Sequence, residues 1–152
     1  QISEIDFELM GNSMDQQIID ADGGLILDEN NEASVDVDFD VENTGTCDIY
    51  IRVAILPLIL DKEKSQIVYK LNKSSCEIQY CNENDSSVLD DEYWEKSSDG
   101  YYYYKKVLKQ GQGLENGLIS RVRFKPNNSE AVDFCDKKVQ IAVKVESRQN
   151  EF

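Results

Sequence analysis

Apolar and polar residues alternate with a period of two along most of this chain, and that pattern dictates extended structure. Val35, Val37, Phe39 and Val41 alternate with Asp36, Asp38, Asp40 and Glu42, which describes a half-buried strand with one acidic face. Asn43-Thr44-Gly45-Thr46 then reads as a turn. Ile49, Ile51, Val53 and Ile55 alternate with Tyr50, Arg52 and Ala54, and Pro57 is expected to end regular pairing. Ile119–Lys125 puts Val122 and Phe124 on one face and Arg121, Arg123 and Lys125 on the other. Val139, Ile141, Val143 and Val145 give the clearest alternation of all. Weaker strands are expected at Ile5–Leu9, Gln66–Leu71, Glu77–Tyr80 and Tyr101–Leu108. No segment carries a helical period for three turns, and Asp90–Lys96 has room for one turn. Many strands with turn-rich connections predict an all-β chain, an antiparallel β-sandwich of jelly-roll or Greek-key type.

The 152 residues suit one domain with a real core, so a single sandwich domain is expected over 1–152. Its parts are an acidic N-terminal segment, 1–33, and a sandwich core, 34–149. The charge is segregated. Gln1–Asp48 holds 14 acidic residues and no Lys or Arg, while Ile49–Phe152 holds 16 of each sign. The net charge of -14 therefore resides in the first third. It disfavours nucleic acid and anionic membrane as partners. The acidic flank reads either as a solvated surface or as a face for a cation or a basic partner. The apolar run Val53–Leu60 is far shorter than the ~20 residues of a membrane span. Histidine is absent, which removes Ser-His-Asp and Cys-His couples, HExxH zinc helices and Cys2His2 fingers. No pair among the many carboxylates stands out for glycoside hydrolysis, so no enzymatic activity is expected.

Cys47, Cys76, Cys81 and Cys135 match no zinc spacing and are candidates for two disulfides, in three connectivities. If Glu77–Tyr80 is extended, Cys76 and Cys81 lie about 16 Å apart, beyond the ~7 Å that a disulfide tolerates. The chain begins at Gln1, as a mature exported protein or a trimmed chain would, and an even cysteine count fits disulfides in an exported domain or four reduced thiols in a cytosolic one. Asp20-Ala21-Asp22-Gly23 and Asp28-Glu29-Asn30 offer calcium ligands but are out of register with an EF-hand, so no cofactor is expected. Asn72, Asn84 and Asn127 begin glycosylation triplets of the kind an Asn- and Ser-rich chain produces by chance.

Tyr101-Tyr102-Tyr103-Tyr104 follows Asp99-Gly100, with Trp94 just before. In a strand two of these rings face inward and two outward. They form either a cross-strand aromatic cluster on a hairpin or an exposed patch that recruits a partner. The order Val41–Gly45, Ile49–Pro57, Tyr93-Trp94, Asp99–Leu108 and Val139–Glu146, then Gln149, resembles the TasA/camelysin-like exported proteins of Gram-positive bacteria. These are processed by the SipW type of signal peptidase and include biofilm-matrix fibre subunits. The resemblance spans roughly 34–149, and it implies a jelly-roll sandwich and an extracellular or cell-surface location. A zinc peptidase site, described for camelysin, is not carried over to a chain without histidine.

The function expected from these readings is a secreted structural protein that polymerises into matrix fibres, with itself and other matrix proteins as partners. Ile2, Ile5, Phe7 and Leu9 make a candidate donor strand, 2–9, which adds to the open sheet edge of a neighbouring copy. The simpler reading pairs Ile5–Leu9 within its own subunit. The alternative function is a monomeric surface adhesin that binds through exposed tyrosines. Finally, Val35–Val41 is expected beside Ile119–Lys125, with Asp36, Asp38 and Asp40 facing Arg121, Arg123 and Lys125 as a charge ladder.

Overall fold

The computed structural model describes residues 8–11, 16–17, 29–30, 32–61, 67–70, 76–125 and 137–152. Among them are eleven strands and no helix: β1 (Glu8–Gly11), β2 (Gln16–Gln17), β3 (Ala33–Asp36), β4 (Phe39–Glu42), β5 (Tyr50–Asp61), β6 (Ile67–Lys70), β7 (Cys76–Tyr80), β8 (Trp94–Lys96), β9 (Tyr102–Tyr104), β10 (Ile119–Phe124) and β11 (Lys137–Arg148). All pairings are antiparallel. The chain is therefore all-β. No helix among the described residues is long and apolar enough to cross a membrane.

The longest ladder joins the two best-patterned segments. β5 and β11 pair over twelve residues each, from Tyr50 opposite Arg148 to Asp61 opposite Lys137. The other edge of β5 is shared. β9 pairs with Arg52 and Val53, and β6 pairs with Leu58–Leu60. Between these two partners no described residue pairs with that edge, the condition under which a strand tolerates proline. Pro57 consequently does not end the strand as its chemistry suggested. It lies opposite Ile141, and β5 continues to Asp61. β8 extends this sheet beyond β9, and β2 extends it beyond β11.

β3, β10 and β7 form a second sheet, and β1 with β4 a third of only two strands. The alternating stretch Val35–Val41 is thus not one strand. Val37 still donates its N–H to the Ser120 carbonyl at 2.9 Å. Past that point the pairing with β10 stops, where Leu118 has φ 66° and Ile119 N–H donates to Gly117 O at 2.7 Å. This is a γ-turn with positive φ at its centre, a rare and strained conformation. The chain therefore leaves β10, and Phe39–Glu42 pairs with β1 instead.

All three sheets turn apolar residues into one core. Phe39 and Val41 come from β4, Ile51 and Val53 from β5, Tyr102 and Tyr104 from β9, and Val122 and Phe124 from β10. Trp94, Ile49 and Leu108 are fully buried among them. Each such side chain contributes about 1.5–3 kcal/mol on burial. Asn43 is the only buried polar residue among those described, with 0% exposure. Its Nδ2 donates to Cys47 O at 2.9 Å and Leu108 O at 2.8 Å, and its Oδ1 accepts from Gly45 N at 2.9 Å. Its backbone is held by Gln112 O and Gly111 N. Asn43 thereby clasps the turn before β5 to the loop after β9.

Candidate functional site

The tyrosine block forms the second arm of the hairpin β8–β9, with Trp94 opposite Tyr104 and Lys96 opposite Tyr102. Gly100 supplies the positive φ, 88°, that the turn requires. Gly100 N–H donates to Ser97 O at 3.1 Å, and Asp99 Oδ1 accepts from Tyr101 N at 2.8 Å. Alternation then sorts the rings. Tyr102 and Tyr104 are buried, and Tyr101 and Tyr103 are half-buried on the outer face. Of the two readings, the inward pair gives the cross-strand cluster. Trp94 and Tyr104 lie 4.9 Å apart between centroids, at 51°. The polar ends of these rings are all bonded. Trp94 Nε1 donates to Asn116 O, Tyr104 Oη accepts from Glu115 N, and Tyr102 Oη meets Tyr80 Oη at 2.8 Å. Burial, followed by the Tyr80 hydroxyl, raises the Tyr102 phenol above its ordinary range.

The outward pair belongs to a second cluster, which neither ring alone announced. Arg52 of β5 lies opposite Glu146 of β11 on one side and Tyr103 of β9 on the other. Its Nε donates to Glu146 Oε2 at 2.7 Å, and its guanidinium also donates to Tyr103 Oη at 3.2 Å. The same cation lies 4.3 Å from the Tyr101 ring centre and 4.7 Å from that of Phe152. Glu146 also accepts from Lys144 Nζ at 2.9 Å and from Tyr101 Oη at 3.2 Å. Tyr103 Oη donates to Asp99. Bonds from Lys144 and Arg52 pull the Glu146 carboxyl down to about 2, and bonds from Tyr103 and Tyr101 lower that of Asp99. The Tyr103 and Glu146 bonds hold the Arg52 guanidinium firmly protonated. The cluster thus presents a braced aromatic and charged surface. Arg52, Glu146 and Phe152 could not be assembled from the sequence, because only the β5–β11 register brings them together.

The charge ladder is present in part. β3 lies beside β10, with Asp36 opposite Arg121 and their side chains 2.8 Å apart. The other two pairings need correction. The strands run antiparallel, so climbing β10 means descending β3, and Arg123 lies opposite Ser34. Arg123 and Lys125 instead meet Glu32 at 2.7 and 3.7 Å and Glu77 of β7 at 3.9 and 3.3 Å. Asp40 turns to a different task, and its Oδ1 accepts from Leu114 N at 2.8 Å. Asp38 is exposed in the break between β3 and β4.

Of the candidate donor strand, Leu9 is described, and it pairs with Val41 in β1–β4 of the same chain. Ile2, Ile5 and Phe7 lie outside the described residues, as do Cys135, Asp20–Gly23, Asp28, Asn72 and Asn127. Cys76 opens β7 and Cys81 follows it, so the extended segment keeps them from bonding to each other. Both carry free thiols here, contrary to the two disulfides expected. Burial pushes the Cys76 thiol up to about 12 and raises that of Cys81. Cys47 lies half-buried in the turn before β5. No group of three or more His, Cys, Asp or Glu among the described residues is arranged to hold a metal ion. No protein-family model, no curated protein and no solved structure matches the chain.

Proposed function

We propose that this chain is a secreted, non-enzymatic subunit of extracellular matrix fibres, with a jelly-roll sandwich like that of the TasA/camelysin-like proteins it resembles. The observation that carries the reading is the two-stranded sheet β1–β4. β1 is four residues long, and β4 is its one partner strand among the described residues. A short N-terminal strand held by one ladder is the kind of element that a second copy's strand replaces at little net cost, because the same backbone bonds re-form. Ile2, Ile5 and Phe7 would accompany Leu9 into the neighbour. The acidic first third opposes close approach of copies, so lower pH or added salt promotes assembly. The adhesin reading draws on Tyr101 and Tyr103, which share one half-exposed face.

Sedimentation and electron microscopy of the purified protein, at neutral and mildly acidic pH, test the proposal. Deletion of residues 1–11, or Phe7→Asp, is expected to leave a folded monomer and abolish filaments. A deletion variant that polymerises as well as the full chain overturns the donor-strand mechanism. A full chain that stays monomeric at every concentration, pH and salt overturns the fibre role.

A further inference from the structure

The chain holds one Asn-Gly pair, Asn116-Gly117. Asparagine before glycine is the pair most prone to spontaneous loss of the side-chain amide, because glycine has no Cβ to hinder attack by its own nitrogen. The fold cannot dispense with this glycine. A Cβ at Gly117 would lie 2.7 Å from the Phe39 carbonyl oxygen of β4. Both residues are half-buried and line a cleft of about 780 Å3 between the loop after β7, the turn before β8 and the segment Glu115–Gly117, so water reaches them. Bonding restrains the pair instead. Asn116 Nδ2 donates to Cys81 O at 2.8 Å, and Asn116 Oδ1 accepts from Leu118 N–H at 2.9 Å. Gly117 N–H donates to the Cys81 thiol. The nitrogen that attacks and the amide that it attacks are thus each held by a partner. Asn116 is also a junction, because its carbonyl accepts from Trp94 Nε1 at 3.1 Å and the strained, buried Leu118 follows two positions on.

We propose that Asn116-Gly117 is a deamidation site that the folded chain guards and that opening of this loop exposes. In the reaction Gly117 N gives up its proton and bonds to Asn116 Cγ. The Cγ–Nδ2 bond breaks, and Nδ2 takes up a proton and leaves as ammonia. One water then opens the five-membered imide, to aspartate or to isoaspartate, whose backbone runs through the side chain and is one carbon longer. Either product lacks the Nδ2 donor, so Cys81 O faces a carboxylate where it had an N–H. Isoaspartate also displaces the carbonyl that holds Trp94. The change runs one way, so a chain that has opened at this loop refolds with less stability. The site does not involve β1, and it operates whether or not the chain polymerises.

Peptide mapping by mass spectrometry tests this on the full chain, incubated at mildly alkaline pH both folded and in urea. The unfolded chain is expected to show the mass gain of deamidation at Asn116 before any other asparagine. The folded chain is expected to react at least about tenfold more slowly, because the loop must open first. Asn116→Gln, whose longer side chain closes the ring poorly, is expected to abolish the early gain in urea, where folding is not required. Asn116→Asp reproduces one product and is expected to lower the folding constant about tenfold in a urea titration. Three results overturn the inference: deamidation in urea that begins at another asparagine, equal rates in the folded and unfolded chain, or an Asn116→Asp midpoint equal to that of the parent. The rate comparison uses the parent chain alone, so it decides the case even if Asn116→Asp does not fold.

Discussion

Replacing Asn43 by alanine strikes the one buried polar residue among those described. Three hydrogen bonds disappear, those to Cys47 O, Leu108 O and Gly45 N. Their consequences differ. Leu108 O keeps a partner, because Ile49 N–H donates to it at 3.0 Å. Gly45 N–H is left buried with nothing to receive it, and Cys47 O loses its Asn43 donor. At about 1 kcal/mol per net bond, and more for a stranded buried group, the loss is about 3 kcal/mol. That is a large part of the ~5–15 kcal/mol by which a domain is stable. Trp94 is the single tryptophan and is fully buried, so its emission in a urea titration reports the transition. The midpoint is expected to fall with the slope unchanged, since the exposed area of unfolding stays the same. Asn43→Asp sharpens the test. A carboxylate at this position faces two carbonyl oxygens in a buried place, which raises its folded pKa above the unfolded value near ~3.9. A raised acid binds its proton more tightly in the folded state, so this variant gains stability as the pH falls through that folded pKa. An alanine variant within about 0.5 kcal/mol of the parent, or an aspartate variant whose pH slope matches it, would show that the clasp around Asn43 carries no weight.

Two further expectations concern other parts of the fold. A Cβ at Gly117 would lie 2.7 Å from the Phe39 carbonyl oxygen, which is backbone and cannot swing aside, so Gly117→Ala is expected to cost about 1–3 kcal/mol in the same titration. Glu146 is ionised down to about 2 because Lys144 and Arg52 bind it, so its contribution is complete above the unfolded carboxyl value near ~4.3 and is lost as pH falls from there towards 2. Glu146→Gln is therefore expected to flatten the acid limb of a melting-temperature profile across that window, and an unaltered limb would refute the assignment.

What the sequence revealed and what it hid divide along a physical line. Period-two patterning found β5, β11, β10 and the sorting of the four tyrosines, because side-chain alternation is a local property of the strand. It failed wherever a partner decides. Val35–Val41 reads as one strand, yet the γ-turn at Leu118 removes the partner after Val37 and divides it between two sheets. Pro57 reads as a terminator, yet β5 accommodates it opposite Ile141 and continues to Asp61. Arg121 and Asp36 were legible as opposite charges, whereas the Arg123 and Lys125 partners depended on strand direction. Asp90–Lys96 reads as having room for one helical turn. One turn's bond does form, from Trp94 N–H to Asp90 O at 3.1 Å, before the chain extends into β8. The Arg52 cluster and the cleft draw on segments far apart in the chain, and no local pattern brings those together.

The long ladder between β5 and β11 also fixes when the protein is able to fold. Tyr50 must find Arg148, 98 positions further along, so the central pairing of the sheet waits until Arg148 has left the ribosome. Contacts so distant in sequence close slowly, against the full entropy of the intervening loop. Until then Ile55-Leu56-Pro57-Leu58-Ile59-Leu60 is an apolar stretch of high strand propensity with no mate. A proline in its middle is the residue that most hinders such a stretch from pairing with another nascent chain. The same residue that the finished sheet accommodates within β5 thus also shields the chain from mispairing while that sheet is still unfinished.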